Sequence, residues 1–346
     1  MSSRVPPHLI EEMRAGRVIA FVGAGFSAPA GFPGWKQLLL KIAQAANDES
    51  AIPSDVHELV KTLLGAQWPS AADLDQAAQL MDDSLPSSAG GDQPQERLVG
   101  YMRKFLEPRQ YPLPGVMERR LELLRDLPFR SVLTTNFNPL ISGITPFDAS
   151  APAAYRCALR AAVPCPREQL PPAEVNSIAT SDADGLHYSQ AKCPVLQIHG
   201  SLREPRSIVF TREGYRRLLY TNPSYCTFIK SALSSFTVLY MGFSFSDACM
   251  PRPRSRSVPP HPPKSAPHTF TTHAATDLNE LRSEIASLLG PDGPPTAYAI
   301  INDKSELQRK FFNKHEGVHL ISFDTSAPAG WGGFDEILEE LAAAVR

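Results

Sequence analysis

The chain has 346 residues, 42% of them hydrophobic, with 34 basic against 36 acidic side chains and a formal net charge of -2. That is enough for one large domain or two modest ones, and the balanced charge gives no global electrostatic argument for nucleic acid. No apolar run approaches the roughly 20 residues that span a bilayer, the N-terminus lacks the apolar core of a secretory signal, and the five cysteines, Cys157, Cys165, Cys193, Cys226 and Cys249, are too widely spaced for a zinc ribbon or a disulfide framework. The expectation is a soluble cytoplasmic protein with no membrane, nucleic-acid or metal partner.

The first element is the apolar run Val18–Val22, which reads as a buried strand and passes straight into Gly23-Ala24-Gly25-Phe26-Ser27. Glycine removes the Cβ atoms that would block a phosphate, the next backbone N–H groups are expected to point at the anion, and Ser27 adds a hydroxyl donor. The spacing falls short of G-x-G-x-x-G, and a merely structural tight turn is the alternative reading. Trp35, Leu38, Leu39 and Ile42 then recur at helical spacing. Residues 54–127 read as a helical insertion. Leu74, Ala77, Ala78 and Met81 share one helix face, Leu98, Tyr101, Met102 and Phe105 another, and Leu121 and Leu124 follow before Pro128. Linkers rich in Pro, Gly, Ser and Asp fall near Ser84–Gln95 and Pro108–Gly115.

A second strand, Ser131–Thr135, ends in Thr134-Thr135-Asn136-Phe137-Asn138, a cluster of amides and hydroxyls. In an open parallel sheet, ligands sit at the carboxyl ends of strands, so this cluster is placed to touch one. The competing reading is that Asn136 or Asn138 caps a helix starting near Pro139. Residues 140–192 are weakly patterned and form a long excursion. The third strand, Val195–Ile198, ends in His199-Gly200-Ser201. A neutral imidazole beside a cleft can take a proton near pH 7, though a lone histidine is more often structural. The fourth, Thr237–Met241, runs into Gly242-Phe243-Ser244-Phe245-Ser246-Asp247.

Residues 250–275 are rich in Pro, Arg, Ser and His, a composition that cannot bury enough apolar surface to offset its ordering entropy. They read as a disordered insert interrupting the fold; the alternative is a basic patch for an acidic partner. A helix at Asp277–Leu289, strands at Ala297–Ile301 and His319–Phe323 with a helix around Ser305–Lys314 between them, and a last amphipathic helix carrying Phe334, Ile337, Leu338, Leu341 and Val345 complete the chain. Short apolar strands alternating with helices imply an α/β fold, a Rossmann-like mainly parallel sheet with helices on both faces and a helical insertion. Residues 1–249 are expected to form the nucleotide-binding part and 276–346 the C-terminal part of the same α/β domain.

The ordered set G-A-G-x-S, T-T-N, H-G-S and G-x-S resembles the SIR2-like domain family, relatives of sirtuins found in NAD-consuming antiviral defence proteins. The resemblance covers Val18–Trp35, Val132–Leu140, Val195–Phe210 and Val238–Asp247. It implies NAD as substrate with no metal. Gly23, Ala24, Gly25 and Ser27 would hold the pyrophosphate, Asn136 would position the nicotinamide ribose or the attacking water, and His199 would act as general base. Gly242 and Ser244 would contact phosphates or the adenosine ribose, and Thr135, Asn138 and Gly200 complete the expected NAD-binding set. Two departures stand out. Gly31-Phe32-Pro33-Gly34-Trp35 lacks the acidic and arginine residues of the sirtuin loop, and Asn138 stands where the family commonly has aspartate.

The resemblance leads to an NAD hydrolase that releases nicotinamide and ADP-ribose, regulated by assembly as a homo-oligomer, with a role in immune or antiviral defence. Two alternatives accompany it: a catalytically weak sensor or scaffold binding NAD or ADP-ribose, and a protein deacylase, against which the missing zinc-binding cysteine pairs argue.

Overall fold

Strands that are apolar on every residue, rather than on alternate ones, are covered on both faces, and this governs the architecture. The computed structural model describes residues 4–66, 69, 71–85, 96–106, 113–143, 145, 194–211, 213–214, 218, 223–243, 295–302, 306, 309–310, 312–313, 317–324 and 331–346. In chain order come α1 (Pro7–Arg14), β1 (Val18–Val22), a 3-10 turn (Ala24–Ala30), α2 (Trp35–Asp48), α3 (Ser54–Leu63), α4 (Ala71–Ser84), α5 (Glu96–Leu106), α6 (Gly115–Asp126), β2 (Ser131–Thr134) and β3 (Val195–Gln197). They are followed by α7 (Pro223–Ser235), β4 (Thr237–Met241), β5 (Ala297–Asn302), β6 (Val318–Phe323) and α8 (Gly332–Val345).

The six strands form one parallel sheet in the order β3-β2-β1-β4-β5-β6. This is the order of doubly wound dinucleotide-binding sheets, and its switch point lies between β1 and β4, where successive connections leave in opposite directions. The fold is therefore the Rossmann-like α/β sheet that the sequence pattern predicts, with each strand within a residue of its expected bounds.

Period-two alternation sorts the strand side chains onto two faces. Val18, Ala20, Val22, Val132, Leu239 and Met241 enter one apolar cluster, with Leu9 and Met13 of α1, Leu39 and Ile42 of α2, Met117 and Leu124 of α6, and Phe334, Ile337 and Leu341 of α8. Ile19, Phe21, Leu133, Leu196, Val238 and Tyr240 enter the other, covered by Tyr225, Phe228, Ile229, Ala232 and Leu233 of α7 and by Phe312. Helices α3, α4 and α5 form a layer packed on or beside α2. β5, β6 and α8 join the same sheet and core, so the C-terminal part closes the fold begun at β1.

Helices α1 and α7 are not among the sequence-predicted elements. No helix begins at Pro139: residues after Asn138 make a turn. The insert at 250–275, the helix at Asp277–Leu289 and most of the 140–192 excursion lie outside the described residues, as do most of both insertion linkers and much of the Ser305–Lys314 helix. Among the described residues, no helix is long and apolar enough to cross a membrane.

Candidate functional site

Parallel register sets the level of the strand ends. Val22 pairs with Thr134 on one side and Met241 on the other, and Thr134 pairs with Gln197. Asn136 and His199 therefore both lie two residues beyond a paired position on adjacent strands, beside the Gly23–Ser27 turn.

Asn136 is the best-held side chain of the group. It is 5% exposed, and its Nδ2 donates to the Gly23 carbonyl at 3.1 Å and to the Ser27 hydroxyl at 3.4 Å. Because a carbonyl oxygen can only accept, the bond to Gly23 fixes which end of the amide is nitrogen. Oδ1 is then the end left for a ligand. The backbone beneath is also fixed: the Asn136 N–H donates to Thr134 Oγ1 at 3.1 Å, and that hydroxyl donates to the Val22 carbonyl at 2.9 Å. Gln197, fully buried, bridges the neighbouring loop, accepting from Gly143 N–H at 3.2 Å and donating to the Asn136 carbonyl at 3.5 Å. Thr135, half-buried, donates its N–H to Val22. Asn138 is buried and accepts at Oδ1 from the Leu140 N–H at 3.3 Å, bracing its own turn.

The glycine-rich turn is organised differently from the sequence expectation. The Gly23 N–H donates to the Met241 carbonyl, the Gly25 N–H to the Gly242 carbonyl and the Phe26 N–H to the Gly23 carbonyl. These amides are used inside the protein rather than presented to an anion. A Cβ on Gly25 would lie 2.8 Å from the Gly242 carbonyl oxygen, so the glycines make room for the turn after β4. Gly242 itself has φ +75°, and a Cβ there would meet the Phe26 nitrogen at 2.2 Å. Ala24 and Gly25 remain partly exposed at the tip, while Ser27 is fully buried with its hydroxyl accepting from Asn136. Gly200 is packed against the backbone of Ser207. Ser244 lies outside the described residues.

Burial pushes the His199 imidazole down to about 4, so it is neutral at pH 7. Its Nε2 is closed off from solvent in this arrangement. Trp35, Phe210 and Phe137, the residue after Asn136, form an aromatic cluster, with Trp35 edge-on to Phe210 at 4.8 Å between centroids and Phe137 6.3 and 6.4 Å from the two. Of these three residues, Trp35 was visible in the sequence as a helix-face residue and as the end of the Gly31–Trp35 loop, with no sign of its aromatic partners. Arg120, which contacts the back of the glycine turn, gave no sequence signal, since one arginine in an amphipathic helix reads as solvent-facing. Among the described residues, no cluster of His, Cys, Asp or Glu could hold a metal ion.

Residues 130–254 match the family model described as SIR2-like domain. The matched segment begins just before β2 and takes in Asn136, His199 and Gly242, and β1 with its glycine turn precedes it. The chain is also similar to a curated protein called NAD(+) hydrolase ThsA from Acinetobacter baumannii (strain 532279), 22% identical over 243 residues. That alignment covers 69% of this chain and 39% of the relative, so the chain matches well under half of the relative's length.

Proposed function

We propose that this SIR2-like domain binds NAD at the β1/β4 switch point and hydrolyses it to nicotinamide and ADP-ribose. The observation that carries the reading is the locked carboxamide of Asn136, its Nδ2 tied to Gly23 and Ser27 and its oxygen left for substrate. The similarity to a protein named NAD(+) hydrolase supports it.

The chemistry asks little beyond this. Cleavage sends the glycosidic electron pair to the pyridinium nitrogen, so nicotinamide leaves neutral and needs no proton. Water adds to the ribosyl carbon and releases one proton. The Asn136 oxygen is a fixed partial negative charge for the cation-like transition state, or an acceptor for the attacking water, at no cost of reorganisation. His199 starts neutral and receives the proton. Opening of the cleft at its ring accompanies substrate entry. Trp35, Phe137 and Phe210 give the departing ring an apolar surface. For the pyrophosphate, the partly exposed tip at Ala24 and Gly25 is the binding element, with the fully buried Ser27 beneath it holding Asn136. Thr135, Asn138, Gly200, Gly242 and Ser244 shape the rest of the NAD site. A freely running NAD hydrolase would drain its cell, so we place it in the cytoplasm with activity gated by homo-oligomeric assembly.

The second reading, an NAD or ADP-ribose sensor, is favoured by the closed-off Nε2 of His199 and the engaged turn amides. One assay separates the readings: nicotinamide release from NAD alone, then with an acyl-lysine peptide, across protein concentrations. Turnover with NAD alone supports the hydrolase, turnover only with peptide a deacylase, and saturable binding without turnover the sensor. Asn136→Ala and His199→Ala are expected to lower turnover about 100- to 10,000-fold while NAD still binds; full activity in either removes that residue from the mechanism.

A further inference from the structure

Arg120 of α6 is 1% exposed, the bulkiest fully buried side chain among the described residues, and it lies behind the glycine turn. Its Nη1 donates to the Phe26 carbonyl at 2.9 Å, and its Nε and Nη2 make a two-pronged pair with Asp335 of α8, at 2.5 and 3.1 Å. The guanidinium lies 4.5 Å from the centre of the Phe334 ring and 5.9 Å from that of Phe26. The sequence of the turn explains why an arginine is wanted. In a 3-10 turn the Phe26 carbonyl would accept from the residue three positions on, and that residue is Pro29, which has no N–H. Arg120 supplies the missing donor from another helix.

We infer that Arg120, held by Asp335, is a positioning residue for the Asn136 carboxamide, and that α8 is thereby mechanically part of the site. The connection is continuous. Asp335 fixes Arg120, and Arg120 fixes the Phe26 carbonyl. The Phe26 N–H donates to the Gly23 carbonyl, which also accepts from Asn136 Nδ2, and the residue after Phe26 is Ser27, the second acceptor of Asn136. Freeing the Phe26 peptide would loosen both acceptors that hold Asn136. A guanidinium bonded on two sides and covered by two rings has one arrangement, which suits it to setting a position.

The inference rests on the proposed NAD hydrolysis, and its test keeps the two apart. Arg120→Met tests the contact directly; Asp335→Asn, nearly isosteric, is the milder variant should Arg120→Met fail to fold. In folded Asp335→Asn protein, kcat for nicotinamide release is expected to fall about tenfold, the worth of a charge-assisted hydrogen bond, with KM for NAD nearly unchanged. Asp335→Glu should recover part of the loss. A merely stabilising role would lower the melting temperature and leave kcat, measured well below it, unaltered; that result overturns the inference. Amide exchange is the readout independent of turnover. Residues 24–30 should exchange about tenfold faster in Asp335→Asn, with β5 and β6 unaffected. If wild-type protein releases no nicotinamide, the hydrolase reading fails and exchange alone decides: faster exchange confined to the turn supports positioning, and unchanged or uniformly faster exchange overturns it.

Discussion

Asn136 and Asn138 stand two residues apart, both buried, and use opposite ends of their amides. Asn136 spends its nitrogen on Gly23 and Ser27, whereas Asn138 spends its oxygen on the Leu140 N–H. The sequence shows two polar residues at a strand end and cannot separate these uses, because the partners of Asn136 lie more than a hundred positions away. The contrast yields a substitution test. Asn138→Asp keeps the acceptor for Leu140 and adds a negative charge near Asn136. With a ribosyl cation developing there, the change is expected to raise kcat roughly fivefold, about 1 kcal/mol. Nicotinamide release at saturating NAD measures it, and a fall in kcat would show that charge is not what the wild-type site lacks.

His199 gives the second residue-scale prediction, one of stability. Its native value is depressed to about 4, against 6.5 when unfolded. Above pH 6.5 the ring is neutral in both states and its contribution is complete. As pH falls from 6.5 towards 4, the unfolded chain binds a proton that the native ring refuses, and stability is lost, by about 3 kcal/mol once both forms are protonated. His319 is shifted in the same direction by burial, so the comparison must be between variants. Denaturant unfolding at several pH values should show a shallower decline between pH 6.5 and 4 for His199→Gln than for wild type. Parallel curves would mean that the ring protonates freely in the folded protein.

At the scale of elements, the β1 and β4 turns are one structure. Gly23 and Gly25 donate to Met241 and Gly242, and a Cβ on Gly23, Gly25 or Gly242 would run into the backbone of the other turn. A glycine-rich strand end shows in sequence as an anion site, but whether its amides are free depends on a segment more than two hundred residues later. Gly242→Ala is expected to cost more than about 2 kcal/mol, since φ +75° is strained for alanine and its methyl would meet the Phe26 nitrogen. Thermal unfolding tests it, and a loss below a few tenths would show that the two turns separate easily. Helix α7 makes the complementary point. Tyr225, Phe228, Ile229, Ala232 and Leu233 recur at helical spacing, and Pro223 opens the helix, so its pattern was as legible as that of α2. Arg120 was not legible, because its burial follows from α8, which packs on α6 from the far end of the chain.

For the whole molecule, all six strands could be read because each is a short apolar run buried on two faces, the most local signal a parallel sheet gives. Their order could not, since it depends on the crossovers. One crossover bears on the Pro/Arg/Ser-rich segment 250–275. β4 and β5 are adjacent and parallel, with Val238 opposite Ala297, so the chain between Met241 and Ala297 must lead from the carboxyl end of β4 back to the amino end of β5. A parallel connection needs a dozen or more residues, and removing 250–275 leaves about 30, including the apolar helical pattern at Leu278, Leu281, Ile285 and Leu288. We therefore propose that the segment is dispensable for the fold. The deletion variant is expected to melt within about 3 °C of wild type, as it keeps all six strands of the described sheet, and to release nicotinamide at the wild-type rate per folded site. A large drop in melting temperature would mean that the segment packs on the core. A normal melt with lost turnover would assign it instead to the site or to the assembly that activates it, because the segment follows Gly242 by only eight positions in the sequence.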